Sequence, residues 1–452
     1  MSCARNLLRL AAALVALALA PAGGRAQSPR TLFVLLDAVP FSIVEELTDP
    51  EGGDGALFPG FKPPVPLIST FPSSTSVAAV GILEPFGMRH SPGYEARFFD
   101  RSQRRVRGGG AISYFRIDFP WREFFDWSRK GVARSAFAAL WPVRASISRL
   151  DEAVERFFRS DAREFFVYIE TTDTAAHLQS PASLVRVFRA LDLALREARR
   201  RHPEVDYRVV LFSDHGIAGG VPLENTFRPA QEALEAAGFS LSRRVESPRD
   251  VALTPFGLVS SFEAYTEREA APRVAEALAG VEGVDLCVHR DRGGWVIESR
   301  RGRAIVRSLE GLWSYDAETG DPLAYEPVVE RLAARAGGTR AFPDDWWLDA
   351  TGTHHYPDAL FRVARAFEIV ENPASVLCSL EPGFMYGLVT TSLGARLANG
   401  PLRWTHGALF REASWGFLMS DDPDWRAKSP LRFSRALAPF VTAADVTGDP
   451  RR

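Results

Sequence analysis

The chain has 452 residues, 46% of them hydrophobic and 24% charged, with 35 glycines and 31 prolines. Those fractions exclude a disordered, collagen-like or coiled-coil chain, and the length suffices for one large α/β domain or two smaller ones. A formal net charge of −2 argues against a regulator that binds nucleic acid by neutralising phosphates. Of the 54 basic residues only Lys62, Lys130 and Lys428 are lysines, and the arginines are scattered rather than clustered.

Residues 1–26 have the layout of a cleaved export signal. Arg5 and Arg9 precede or open an apolar, Ala- and Leu-rich run from Leu10 to Ala20; Pro21 and two glycines follow, and cleavage is expected after Ala26. The run is shorter than the roughly 20 apolar residues that span a bilayer, and no later segment reads as a membrane span. The expected mature protein is therefore periplasmic or secreted, with no integral membrane segment. Cleavage also removes Cys3, leaving Cys287 and Cys378, which can pair in an oxidising compartment but cannot build a cysteine-based zinc site.

Three later segments share one shape. Residues 31–36 (TLFVLL) lead into Asp37, residues 165–170 (FFVYIE) into Thr171, Thr172 and Asp173, and residues 208–212 (RVVLF) into Ser213, Asp214, His215 and Gly216. Each is a short apolar run rich in aromatic and β-branched residues, as in a strand buried on both faces. Each ends in an aspartate at the sheet edge where open α/β sheets bind ligands. Amphipathic helices are predicted over Ser146–Arg159 and Ser183–Arg200, and alternating strands and helices imply a sheet covered on both sides. From about 250 to 310 the pattern changes to a strand at Gly257–Thr266, a helix at Ala271–Ala279, and short strands at Val284–His289 and Gly294–Ser299. This piece reads as an inserted α+β subdomain, and the loop-rich chain after 350 as a return to the main sheet.

Singly, each of these acids has an ordinary reading as a turn or cap residue. Together, Asp37, Asp173, Asp214 and His215, with His177 one helical turn after Asp173, collect oxygen and nitrogen ligands and no sulfur at one sheet edge. That set suits two divalent ions, zinc first, with manganese and iron served by the same ligand types. Two such ions would clamp a displacement at phosphorus. Residues 69–77 (STFPSSTSV) offer hydroxyls for the attack, Ser73, Ser74, Thr75 and Ser76, ahead of a helical VAAVGIL stretch whose N-terminus favours an anion.

In this order the motifs resemble the alkaline phosphatase superfamily, closest to its nucleotide pyrophosphatase/phosphodiesterase (type I phosphodiesterase) branch. The family's pattern is a first Asp after strand one, a Thr or Ser nucleophile in a Pro-containing segment, D-x-x-x-H, D-H-G and a late H-G. It corresponds here to Asp37, FPSST ending in Thr75, Asp173 with His177, Asp214-His215-Gly216, and His406-Gly407. The resemblance implies one zinc on Asp173, His177 and His406, and a second on Asp37, Asp214, His215 and the Thr75 oxygen. It also implies an alkaline-phosphatase-like α/β/α sandwich with a largely parallel central sheet and a small inserted α+β subdomain. Two positions depart from the pattern. Ala78 stands where many relatives carry an Asn that helps hold phosphate, and ILEPFG replaces the usual T-G after the nucleophile helix. Ser74 and Ser76 therefore remain alternative attackers.

The expected organisation is residues 27–250 and 346–452 as the core and 251–345 as the insert. The expected function is a two-metal phosphoester hydrolase acting on a phosphoester substrate through a phosphothreonine intermediate. A phosphomonoesterase, a phosphonate hydrolase, a headgroup phosphotransferase and a non-catalytic metal-binding relative are the alternatives. A sulfatase is disfavoured by the missing C-x-P-x-R or S-x-P-x-R motif, and a metal-free serine hydrolase by the missing G-x-S-x-G elbow. His354 and His355 are the rivals of His406 as last ligand, while His90, His202 and His289 read as loop or packing residues.

Overall fold

The computed structural model describes residues 29–51, 56–109, 119–128, 140–388 and 400–441. The expected signal segment, residues 1–26, lies outside them. In chain order the first main elements are β1 (Arg30–Leu36), α1 (Phe41–Thr48), β2 (Val65–Ile68), α2 (Thr75–Ile82), α3 (Pro142–Arg159), β3 (Glu164–Ile169), α4 (Thr171–Leu178), α5 (Val185–Arg201) and β4 (Tyr207–Phe212). Next come α6 (Phe227–Ala236), β5 (Ser240–Leu241), β6 (Asp250–Leu253), β7 (Ser261–Tyr265), α7 (Ala271–Ala279), β8 (Val284–Asp291), β9 (Gly294–Ser299), β10 (Gly302–Leu309) and β11 (Leu312–Gly320). The chain closes with α8 (Glu326–Arg335), β12 (Ala341–Pro343), α9 (Asp344–Thr351), α10 (Ala359–Ala366), β13 (Val376–Leu380), β14 (Trp415–Ser420) and β15 (Leu431–Arg432).

The central sheet has the order β15-β2-β14-β4-β1-β3. β1 lies between β4 and β3 and runs parallel to both, while β14 is antiparallel to β4 and β2. Successive side chains of β1 point to opposite faces, and both faces are buried, which is why its sequence is continuously apolar. Leu32, Val34 and Leu36 pack with Leu150, Val154 and Phe157 of α3 and Val187, Leu191 and Leu195 of α5. Phe33 and Leu35 pack on the other side in a core that contains Val77 and Val80 of α2. Pro142 sits in the first turn of α3, where its missing N–H costs nothing, and Arg156 and Arg159 in the last turn face the negative end of the helix dipole.

A second sheet has nine strands in the order β12-β11-β10-β9-β8-β13-β7-β6-β5. Its pairings are antiparallel except for β5 with β6. The predicted strands at 284–289 and 294–299 are β8 and β9, and the helix at 271–279 is α7. The sheet extends beyond them in both directions, since β13 comes from the return segment and β10 and β11 form a long hairpin. Leu286, Val288 and Leu377 face the same core as Phe33. On the opposite face, Leu234 of α6 and Val274 and Leu278 of α7 cover Phe262, Val284 and Val376. The result is α/β, with helices and two sheets in layers.

Cys287 on β8 and Cys378 on β13 stand directly opposite each other and are joined as a disulfide. Both are fully buried, and the bond closes a sequence separation of 91 residues. A cross-link closing a loop of that size lowers the entropy of the unfolded chain by an amount worth up to roughly 5 kcal/mol, and removing a native bond typically costs about 2–5 kcal/mol. The double variant Cys287→Ala/Cys378→Ala is expected to lose that much in a urea titration; a midpoint equal to wild type would show that the bond does not constrain the unfolded chain.

Candidate active site

The strand ends deliver the acids. Asp37 follows β1, Asp214 and His215 follow β4, and Asp173 and His177 lie one turn apart on α4, which β3 leads into. Thr75 opens α2. His406 arrives by a different route: residues 404–405 pair antiparallel with 218–219, just beyond His215. Ala38, directly after Asp37, has φ of 55°, a left-handed conformation that costs energy outside glycine and turns the chain sharply at the strand end. The turn is held by Ala38 N–H donating to Asp214 Oδ1 (3.3 Å) and Val39 N–H to Ser213 Oγ (2.9 Å).

These residues form two adjoining groups, Asp173–His177–His406 and Asp37–Asp214–His215, and within each group the ligand atoms lie within 4.8 Å of one another. The His406 ring stacks on His215 with centroids 4.1 Å apart and lies 5.1 Å from His177. All three imidazoles are oriented alike. Nδ1 of His177 is 2.8 Å from the Trp404 carbonyl, Nδ1 of His215 is 2.9 Å from that of Gly216, and Nδ1 of His406 is 2.9 Å from that of Ser73. A carbonyl only accepts, so Nδ1 carries the proton and Nε2 turns a lone pair inward.

Those lone pairs face carboxylate oxygens. Nε2 of His177 and His406 stand 3.1 and 3.4 Å from Asp173 Oδ1, and Nε2 of His215 stands 3.4 Å from Asp214 Oδ2 and 3.5 Å from Asp37 Oδ1. Yet Asp173 Oδ1 and Asp214 Oδ2 are buried without a hydrogen-bond partner. Acceptors aimed at acceptors are repulsive unless a cation lies between them. Two ligands about 2.0–2.2 Å from a tetrahedral cation stand roughly 3.3–3.6 Å apart, close to the separations seen here. The donor set, the orphaned oxygens and the backbone-anchored imidazoles thus fit a divalent metal, with the carbonyls as outer partners that fix each ring.

Charge states follow the crowding. Burial, with Asp214 and Asp173 nearby, holds Asp37 well above the ordinary carboxylate range, and burial pushes Asp214 up to about 7. Burial would raise Asp173 too, but the positive charge and Nε2–H donors that His177 and His406 offer in their protonated, metal-free form outweigh it and keep that carboxyl well below its usual value. Burial, reinforced by His406, holds His215 well below the usual imidazole value.

Of the hydroxyl cluster, Thr75 touches these groups. Its Oγ1 donates to Asp37 Oδ1 at 3.1 Å and lies 3.3 Å from His215 Nε2. Ser73 Oγ donates to the Ala408 carbonyl and Ser74 Oγ to that of Tyr94, so neither caps α2 and both are directed away from Asp37. His354 accepts from the Tyr356 N–H, and His355 stacks on Phe410, away from either group. His202 stacks on Phe158, and His289 is buried in β8.

Four contributors, Tyr168, Arg362, Glu95 and Glu263, were not singled out from sequence. Tyr168 on β3 donates to Asp37 Oδ2 at 2.5 Å; a tyrosine in a fully buried strand needs such an acceptor, which was the available signal. Arg362 on α10, fully buried, donates to the carbonyls of Thr70 and Leu409 and to Ser414 Oγ, tying the segment before Thr75 to the one after His406. Gly407 has φ of 118°, and a Cβ there would sit 2.8 Å from Ser261 Oγ and 3.2 Å from the Ser260 nitrogen. Glu95 follows Tyr94, approaches Gly257, and is pushed up to about 8 by burial and by Glu263. Glu263 itself, buried on β7 and accepting from Thr254 Oγ1, is pushed up to about 7 by burial.

No family model matches the chain, and no curated protein matches it. Solved structures resemble it over most of their length at low identity. Murine ectonucleotide pyrophosphatase/phosphodiesterase 5 is 10% identical with a TM-score of 0.43, covering 91% of this chain and 94% of that one. The human form is 11% identical with a TM-score of 0.42, covering 91% and 93%. The phosphonoacetate hydrolase of Sinorhizobium meliloti 1021, in complex with phosphonoacetate, is 12% identical with a TM-score of 0.44, covering 92% and 95%.

Two outcomes follow from this geometry. Gly407→Ala forces strain and a collision beside His406, so affinity for a divalent metal in a competitive chelator titration should fall about 10- to 100-fold while the far-ultraviolet dichroism stays native; unchanged affinity would mean that the His406 position tolerates the shift. Glu263 titrates near 7 folded against an ordinary 4.5. As pH rises between those values the unfolded chain gives up a proton that the native state keeps, so native stability is lost up to pH 7 and the loss is constant above it. Glu263→Gln, which can still accept from Thr254, should match wild type near pH 4 and exceed it by up to roughly 3 kcal/mol at pH 8. Denaturant titrations at the two pH values measure the difference.

Proposed function

We propose that the chain is an exported, metal-dependent phosphoester hydrolase, a phosphodiesterase or nucleotide pyrophosphatase in type, with Thr75 as nucleophile. The observation that supports it most is the Thr75 hydroxyl, 3.1 Å from Asp37 Oδ1 and 3.3 Å from His215 Nε2 at the N-terminus of a helix, beside two adjoining carboxylate–imidazole groups. Asp173, His177 and His406 would hold one divalent ion; Asp37, Asp214, His215 and the Thr75 oxygen would hold the other. Zinc suits these ligands best, and manganese or iron would be the alternatives. When bound, such ions supply Lewis-acid stabilisation of the charge that builds on the attacking and leaving oxygens.

The chain's own residues do the rest. Asp37, fixed through Tyr168, accepts the Thr75 hydroxyl proton in its hydrogen bond and so aims the oxygen's lone pairs outward. Thr75 Oγ1 attacks phosphorus in line; its bond to phosphorus forms as the bond to the leaving oxygen breaks, and the hydroxyl proton passes through Asp37 to the leaving oxygen. Water then attacks the phosphothreonine; its oxygen bonds to phosphorus as the Thr75 Oγ1–phosphorus bond breaks, and one of its protons restores the threonine hydroxyl. Ser74 C=O already takes the N–H groups of Val77 and Ala78, which leaves those of Thr75 and Ser76 at the helix start for the phosphoryl oxygens. Ala78, buried and apolar, adds nothing to that pocket. The Cys287–Cys378 bond is the chemistry of an oxidising compartment and supports export. Among the described residues no helix is long and apolar enough to cross a membrane.

Hydrolysis of bis-p-nitrophenyl phosphate and p-nitrophenyl phosphate by the mature protein tests the reading. Diester turnover should disappear with a chelator, return with zinc, and fall by about a thousandfold or more in Thr75→Ala. A monoester preference would move the assignment to the phosphatase branch. Activity indifferent to chelator, or retained in Thr75→Ala and lost in Ser74→Ala, would sink the mechanism.

A further inference from the structure

β7 and β8 run away from the candidate active site and β13 runs toward it. At the near end, Ser260 N–H donates to the His406 carbonyl, and Leu409 N–H donates to Ser379 Oγ. At the far end of the same three strands lies a separate cavity of about 470 Å³. From Ser260 to Thr266, which lines that cavity, is six residues, or about 20 Å of extended strand.

Arg101, Arg268 and Arg290 converge on the cavity, with Asp291 as its one acidic lining residue. Two of the guanidinium groups are held by the protein without being neutralised. Arg101 donates from Nε to the Pro373 carbonyl (2.7 Å) and from Nη2 to Ser375 Oγ (3.5 Å). Arg290 donates to the Phe367 carbonyl (3.3 Å) and lies 5.5 Å from the centre of that ring. Arg268, in the turn leading into α7, is exposed. Among the described residues no carboxylate lies within ion-pair distance of any of the three. On the other flank of this sheet, by contrast, Arg300, Arg301, Arg303 and Arg307 each have one. Phe367, Pro373 and Ala374 make the remaining wall apolar.

We propose that this cavity is a second binding site, taking an organic phosphate monoester. Three guanidinium forks less one carboxylate leave about two positive charges, which match the charge of about −1.5 to −2 on a phosphate monoester at neutral pH. Arginine presents paired N–H donors that suit phosphate oxygens, and the apolar wall takes the organic part. The volume lies within the range of small-molecule sites. The site does not depend on the reaction proposed above, since it uses none of the residues of the two carboxylate–imidazole groups and lies at the opposite end of the strands.

The probe is phenylphosphonate, a non-hydrolysable dianion of this shape, titrated calorimetrically into the full metal-loaded protein. Wild type should show a saturable site that Arg268→Ala and Arg290→Ala each weaken at least tenfold, with zinc content and melting temperature unchanged. Among the described residues the Arg268 side chain has no hydrogen-bond or ion-pair partner, so its loss leaves their contacts intact. Inorganic phosphate should compete more weakly than the phenyl compound, because it cannot use the Phe367 wall. Binding unaltered in both variants would place all of it elsewhere and overturn the proposal. Equal affinity for inorganic phosphate, or for benzoate, would overturn the assignment to an organic phosphate.

Discussion

The arrangement turns on one electrostatic constraint: three carboxylates and three imidazoles are packed at one sheet edge with their lone pairs facing inward. The backbone enforces it. Carbonyls of Trp404, Gly216 and Ser73 hold the three Nδ1 protons, so no ring can swing its N–H toward Asp173, Asp37 or Asp214 without breaking a buried hydrogen bond. Leaving a buried acceptor unmatched costs about 1–3 kcal/mol, and more for a charged group. Two such oxygens persist here because the surrounding fold over-determines their positions.

The over-determination comes from distant parts of the chain. Tyr168 fixes one oxygen of Asp37 from the neighbouring strand, while the Asp214 side chain accepts from the turn after Asp37. His406 is placed by a two-residue pairing with 218–219, by Ser260 and by Ser73. Arg362 then binds the flanks of the Thr75 and His406 segments through three acceptors. A deeply buried guanidinium is costly unless its donors are used; here Nη1 and Nη2 are spent on backbone and hydroxyl oxygens, while Nε is left without a partner.

Much of this was legible in the sequence, for a specific reason. Strands buried on both faces are continuous apolar runs, so β1, β3 and β4 stand out, and the acids at their ends mark the sheet edge. Helices α3 and α5 showed their apolar stripes; Pro142 extended the first by a turn, and residues 181–184 open the second as a 3-10 turn rather than α-helix. The hairpin of β10 and β11 was not read, because its strands mix exposed arginine and glutamate with scattered buried residues and lack any such run. Within the site, the motif residues could be named, but Tyr168, Arg362 and Glu95 could not. Their roles depend on which element lies opposite, and that is set by sheet order, not by local pattern.

That sheet order has a consequence for how the chain comes together in time. β13 is inserted between β7 and β8, and β14 between β2 and β4. Each sheet therefore waits for a strand from the last fifth of the sequence before its two flanks can join. Until residues 376–420 are available, a growing chain exposes unpaired edges on both sheets, and the His406 segment, which completes the group of Asp173 and His177, does not yet exist. Assembly dominated by such long-range closures is slow and vulnerable to pairing with other chains. A polypeptide of this design is best kept unfolded until it is whole, the state in which a chain threads through a translocation channel.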